Sequence, residues 1–344
     1  MKMGDKEINR KLFENHDLIL TVRNLDIKLN LNGELVSVID KIDFDLWTGS
    51  TLGIVGESGS GKSILCKALL QILPLGAKVS GKVNLYLPDG EILNLLSLKP
   101  QEMISVRGKK IGFLFQEPTT SMNPVLKCGK QVFDSLVDRL RRNKNIGMQR
   151  VTELFELVGL SDKEKIANSY PHELSGGMLQ RVAIAAALAG EPSILIADEP
   201  TTALDASLQR KILQTLSQLQ KKFDLTLILV SHDLNIISNW TNNLLVMYSG
   251  RIVEYGQTAK IISSPAHPYT QALLETERSF EQKGLPKSIP GALPAISNKP
   301  SGCQFHPRCY YTDALCQVDE PDILVAGHGG GTRCYYPLTK LIEN

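Results

Sequence analysis

The chain has 344 residues, 38 basic against 36 acidic, and a formal net charge of +2. That length admits one large α/β domain with an appendage, or two modest domains, and the balance of charge argues against nucleic acid as a partner, because binding driven by phosphate charge needs a clear basic excess. The most apolar uncharged run, Val182 to Gly190, falls far short of the roughly 20 residues that span a bilayer; the polar start, Met1 to Asp17, lacks the apolar core of a signal peptide, and a cytosolic location is expected.

From Leu18 to about Trp47 apolar and polar residues alternate on either side of Asn32-Gly33, which predicts antiparallel strands joined by a hairpin. The apolar run Thr51 to Val55 leads into GESGSGKS (Gly56 to Ser63), and a helical stretch from Ile64 to Leu73 follows. Strand, G-x-x-x-x-G-K-S loop and helix are the context of a phosphate-binding P-loop. Gly56, Glu57, Ser58, Gly59, Ser60 and Gly61 bring backbone N–H groups to a β-phosphate, and the start of the helix adds about half a positive charge. Lys62 is placed to bridge β- and γ-phosphates, and Ser63 to give its hydroxyl to Mg²⁺. A glycine turn carrying a surface lysine is the plainer alternative.

A strand region punctuated by Gly, Pro and Asp (Val79 to Leu93) comes next, and Gln116 ends another apolar run. Residues from Pro118 to Leu174 read as mostly helical, with Leu154, Leu157 and Val158 on one face. In LSGGMLQR, Ser175, Gly176 and Gly177 stand at the start of a predicted helix, Met178 to Ala189; they form a second anion site or a glycine-rich loop feeding an ordinary helix. SILIADEP ends a buried strand on Asp198 and Glu199. The pair reads as a Mg²⁺ ligand and a general base for water, or as a helix N-cap pair. Ala203-Leu204-Asp205, a helix from Gln209 to Leu219, a strand from Leu225 to His232 and a hairpin around Ser249-Gly250 complete this region. Taken singly, Gln116 and His232 are ordinary polar core residues; their places at strand ends make them candidates for contacts to Mg²⁺ or water and to the γ-phosphate.

After Gln257 the composition shifts: from Pro265 onward the chain holds nine of its 17 prolines and four of its six cysteines. This reads as a separate, loop-rich extension. Cys303, Cys309, Cys316 and Cys334, spaced C-x5-C-x6-C-x17-C, suggest a metal site in a compartment that disfavours disulfides. Four thiolates suit either Zn²⁺ or an iron–sulfur cluster, and the spacing matches neither zinc knuckles nor ferredoxin runs. His306 and His328 are alternate ligands or surface histidines, and Cys66 and Cys128 isolated thiols. With few apolar residues of its own, the extension is expected to fold around its ligated cysteines and to leave nucleotide binding independent of them.

The series P-loop, Gln116, LSGG, Asp198-Glu199, Asp205 and His232 resembles the ATP-binding cassette (ABC) ATPases. The resemblance implies an α/β P-loop core with an antiparallel β subdomain and a helical subdomain at about 118–180, together spanning residues 1–257, followed by the cysteine-containing extension at 258–344. It also implies a head-to-tail dimer in which ATP lies between one subunit's P-loop and the other's Ser175, with Asp205 at the seam. Family members stack adenine on an aromatic side chain before the P-loop. No Phe, Tyr or Trp lies between Asp17 and Asp43, so Leu29 or Leu31 is expected there.

HPYTQALLE (His267 to Glu275), IPGALP (Ile289 to Pro294), GCQFHPRC (Gly302 to Cys309), FQEPTTSMNP (Phe115 to Pro124) and YPHELSGGM are similar to the oligopeptide and dipeptide importer ATPases. That narrower resemblance implies a [4Fe-4S] cluster on the four cysteines, with zinc as the alternative. It implies a second homologous ATPase subunit, two transmembrane permease subunits gripped near Glu117 to Gly129, and an extracytoplasmic binding protein acting indirectly. The location implied is peripheral, on the cytoplasmic face of the membrane. An importer ATPase for nickel or another solute, and a soluble ABC ATPase outside transport, are the alternatives.

Overall fold

The computed structural model describes residues 17–202, 204–281, 288–327 and 329–339. Their contacts divide the chain into two compact units, one of residues 1–97 with 231–344 and one of residues 98–230. Among the described residues no helix is long and apolar enough to cross a membrane.

The first unit opens with strands β1 (Leu18–Leu31) and β2 (Glu34–Trp47), paired antiparallel. Asn32 and Gly33 both take positive φ, 53° and 94°, as the mirror-image hairpin turn requires. Leu20, Val22, Leu25 and Ile27 of β1 are fully buried. Their spacing slips from two residues to three at Val22/Leu25, where the register shifts and Asn24 takes φ 45°; this bulge keeps the apolar residues on one face. β4 (Lys78–Tyr86) joins the other side of β1, and β5 (Ile92–Asn94) pairs with β4.

The same unit holds β3 (Thr51–Val55), buried at every position, as suits a strand covered on both faces. β3 runs parallel to β9 (Asn243–Tyr248), which forms a hairpin with β10 (Arg251–Gln257) around Ser249-Gly250. The residues after 257 do not stand apart. β12 (Gly331–Thr332) pairs with β10, and β11 (Leu324–Val325) with β12. The helix Pro268–Glu281 brings Tyr269 against Tyr248 and Phe305, with ring centroids 4.7 and 5.3 Å away, and Tyr248 lies 5.2 Å from Phe305. Such ring pairs contribute about 0.5–1.5 kcal/mol each beyond the area they bury. The extension thus shares the core that carries β9 instead of building its own.

In the second unit β6 (Ile111–Leu114), β7 (Ile194–Asp198) and β8 (Thr226–Ser231) run parallel, with β7 in the middle. The segment expected to be helical is a series of short helices, chiefly Cys128–Asp134, Lys144–Leu157 and Lys163–Asn168. On Lys144–Leu157 the buried face carries Val151, Leu154 and Phe155, while Leu157 is only half-buried.

Candidate nucleotide site and cysteine cavity

The P-loop leaves β3 and enters the helix Lys62–Leu69. That helix begins earlier than its apolar pattern suggests, and it ends earlier because Gln71 takes φ 50°. Gly56 has φ 152°, and a Cβ there would stand 2.1 Å from the Met247 carbonyl oxygen, so only glycine fits. Gly61, at φ 101°, is the N-cap. Lys62 is 4% exposed; its Nζ donates to the carbonyls of Gly56 at 2.7 Å and Glu57 at 3.0 Å. The ammonium is therefore folded over the loop it serves, at the positive end of the helix. The Ser60 hydroxyl is buried without a hydrogen-bond partner. Of the two candidates for the adenine contact, Leu29 is half-buried opposite Val36, and Leu31 is exposed opposite Glu34 at the hairpin tip.

Glu57 is gripped by residues far along the chain. Its backbone N–H donates to the Tyr269 hydroxyl at 2.8 Å. Its carboxylate oxygens accept from Arg308 Nη1 and Nη2 at 2.6 and 2.9 Å. Arg308 is 7% exposed, and its Nε donates to the Pro290 carbonyl at 2.8 Å. Burial works against this guanidinium's charge, but the Glu57 carboxylate outweighs it and holds the pKa above its ordinary value.

The acidic pair belongs to the second unit. Asp198 is the last residue of β7 and is 2% exposed. Glu199 takes φ 47°, a left-handed conformation that costs a glutamate of order 1 kcal/mol, and its N–H donates to the Val230 carbonyl at 3.1 Å. Its Oε2 accepts from Gln116 Nε2 at 3.2 Å and from the Thr202 hydroxyl at 2.9 Å. Gln116 and Glu199 are thus brought together. No helix starts at the pair; the N-cap role falls on Asp205, which accepts from the N–H groups of Ser207 and Leu208, both at 3.0 Å, and opens the helix Ala206–Phe223. Ala203 lies outside the described residues. His232 follows β8 in an exposed position, in the first unit.

Ser175 caps the helix Gly176–Leu188, its hydroxyl accepting from the Met178 N–H at 3.4 Å. Gly176 and Gly177 form the first turn. A Cβ on Gly177 would meet Leu208 Cδ2 at 2.5 Å, so glycine there permits close packing.

The four cysteines of the extension line one pocket, together with His267 and His306. Cys316 and Cys334 are buried, Cys303 and Cys309 half-buried. Burial pushes the Cys303 and Cys309 thiols up and that of Cys334 to about 12, so thiolates here need a nearby cation. His267 is fully buried. Its Nδ1 accepts from the Tyr269 N–H at 3.0 Å, and its Nε2 has no hydrogen-bond partner. Burial lowers its pKa to about 4. Among the described residues, no three His, Cys, Asp or Glu side chains converge on a single metal-ion position. His328 lies outside those residues, and Cys66 and Cys128 are separate buried thiols.

A P-loop ahead of a parallel sheet whose central strand ends on an acidic pair, with a glycine-started helix between them in the chain, defines an ATPase of the ABC class. Residues 39–202 match the model of the ABC transporter family, and residues 253–316 match that of the oligopeptide/dipeptide transporter C-terminal region. The chain is 43% identical to the oligopeptide transport ATP-binding protein OppD of Bacillus subtilis, over 88% of this chain and 84% of that one. It is 37% identical to the dipeptide transport ATP-binding protein DppD of Escherichia coli, over 93% and 97%. Among solved structures, the dimeric ATP-binding cassette MJ0796 bound to ADP and Pi superposes with a TM-score of 0.61 at 28% identity, over 70% of this chain and 99% of that one. This chain belongs to the ABC transporter family, in its oligopeptide/dipeptide branch.

Tyr269, Arg308, Glu57 as a side chain, and His267 escape a residue-by-residue reading. All stand in quoted motifs, but no spacing pairs a P-loop glutamate with an arginine 251 positions later.

Proposed function

We propose that this chain hydrolyses ATP to drive uptake of oligopeptides or dipeptides through separate transmembrane subunits. The observation that carries the reading is the likeness to OppD, which extends over 88% of the chain. ATP is held by Gly56 to Ser63, with Lys62 on the β- and γ-phosphates and Ser63, Gln116 and Asp198 as the side chains that would hold Mg²⁺; the ion, when bound, neutralises phosphate charge. The buried carboxylate at the end of β7 fits that role. Glu199, steadied by Gln116 and Thr202, accepts the proton of the attacking water, and His232 contacts the γ-phosphate.

Ser175, Gly176 and Gly177 serve a second subunit's nucleotide, and Asp205 lies at the seam of that head-to-tail pair, whose other member is a homologous ATPase subunit. Exposed Val125 and Leu126 fit a grip on two permease subunits at the cytoplasmic face of the membrane, with an extracytoplasmic binding protein acting through them.

Cys303, Cys309, Cys316 and Cys334 would hold a [4Fe-4S] cluster. Soft sulfur donors around one pocket suit it in kind, and its irons would supply the positive charge that buried thiolates need. Protein prepared without oxygen should be brown and contain about four irons per chain; stoichiometric zinc without iron would reverse the assignment. For transport, the complete complex in vesicles should hydrolyse ATP faster when its binding protein carries peptide. Stimulation by a nickel chelate and not by peptide would transfer the reading to the alternative importer.

A further inference from the structure

Two features of the phosphate loop depend on residues beyond 257. The Glu57 backbone and carboxylate are held by Tyr269 and Arg308, and a Cβ placed on Gly59 would lie 3.3 Å from Leu293. Arg308 also fixes the carbonyl of Pro290, in the segment that carries Leu293, and its Nη1 reaches the Tyr248 hydroxyl at 3.4 Å. Ion pairs open to water hold little in place. This one is bidentate, buried on the arginine side though the Glu57 side chain is 28% exposed, and anchored on a third side by a carbonyl, the arrangement in which a guanidinium imposes geometry as well as charge. Glu57 lies between Gly56 and Ser58, and the Lys62 ammonium rests on the carbonyls of Gly56 and Glu57. A shift of Glu57 therefore moves the groups that meet the phosphates.

We propose that Arg308 is a positioning residue for the P-loop: through Glu57, the extension sets how tightly this chain holds ATP. The inference rests on the ATPase reading above and adds a control on it. Arg308 also ends the turn His306–Arg308, directly before Cys309, so the turn that presents a cysteine to the cavity also anchors the nucleotide loop. It stands against the expectation that nucleotide binding is independent of the ligated cysteines.

The test uses the full-length chain with ATP and Mg²⁺, titrated by calorimetry. Arg308→Gln and Glu57→Gln should each weaken ATP by about tenfold, as expected for a misplaced binding loop. The double variant should be no weaker than either single one, because both remove the same contact. In the complete transporter carrying Arg308→Gln, KM for ATP should rise while kcat at saturating ATP stays within about twofold. A folded Arg308→Gln chain that binds ATP as the unsubstituted one does would overturn the proposal, as would losses that multiply in the double variant. If Arg308→Gln fails to fold, Glu57→Gln decides alone, since it leaves the guanidinium its bonds to Pro290 and Tyr248; unchanged affinity there overturns the proposal equally. An unsubstituted chain that binds no ATP would sink the ATPase reading instead.

Discussion

The two compact units hold their functional groups by opposite means. In the first, the P-loop is built from backbone, and its Glu57 is fixed by side chains 212 and 251 positions away. In the second, the working groups are side chains settled largely by near neighbours: the Ser175 hydroxyl accepts from the Met178 N–H, the Asp205 carboxylate from the N–H groups of Ser207 and Leu208, and the Glu199 carboxylate from the Thr202 hydroxyl, with Gln116 as a distant partner. A loop that binds by backbone keeps its phosphate-facing side clear when much of its support arrives from outside. A general base, the role proposed for Glu199, needs a carboxylate with a defined rotamer, which Thr202 and Gln116 help to fix.

The contrast predicts that damage to the second unit removes chemistry and damage to the first removes binding. Glu199→Gln should lower turnover by about a thousandfold, within the range for loss of a general base, while ATP affinity stays within about twofold. Hydrolysis and calorimetry on the same preparation check this; turnover near the unsubstituted level would take the base role from Glu199. Lys62→Ala should do the reverse, weakening ATP by about 1.5–3 kcal/mol, the range for a lost hydrogen bond to a charged group. Unaltered affinity there would mean that backbone alone carries the phosphate.

Ser175→Ala sharpens the comparison further. Affinity of the isolated chain for ATP should not change, since this serine is assigned to the partner's nucleotide, whereas turnover of the assembled transporter should fall by about tenfold for one lost charge-assisted donor. An affinity loss in the isolated chain would place Ser175 at its own site. The smallest effect is expected from Asp205→Ala, which removes two hydrogen bonds at a helix start and should cost about 1 kcal/mol, seen as a melting point lower by about 2 °C. An unshifted melting point would show that the helix Ala206–Phe223 does not need its cap.

What could be read from the sequence follows the same division. GESGSGKS, the Asn32-Gly33 hairpin, LSGG and the buried run before Asp198-Glu199 announce themselves because their physics is local: a glycine where φ must be positive, an alternation, an apolar strand before a carboxylate. The bulge at Asn24, the early start of the helix at Lys62 and the broken helices after Pro118 blur at their edges, because packing moves boundaries that propensity only suggests. The composition of the extension suggests a separate body for a clear reason. Its apolar residues are few, but Tyr269 and Phe305 are spent on Tyr248, a residue of β9, and strand β12 finds its partner in β10. A composition count sees too small a core for independence, and cannot see a core that is shared.

The ion pair between Glu57 and Arg308 carries a consequence for how the protein is made. The nucleotide loop leaves the ribosome first, and the arginine that fastens it is 251 residues behind; at about 5–20 residues per second the wait is roughly 12 to 50 s. During that interval a complete phosphate-binding motif exists without its fastener. On the proposal above, the nascent chain gains its mature affinity for ATP only after Arg308 has emerged, and a messenger truncated before that arginine would yield a product that carries every cassette motif but a slack grip on its nucleotide.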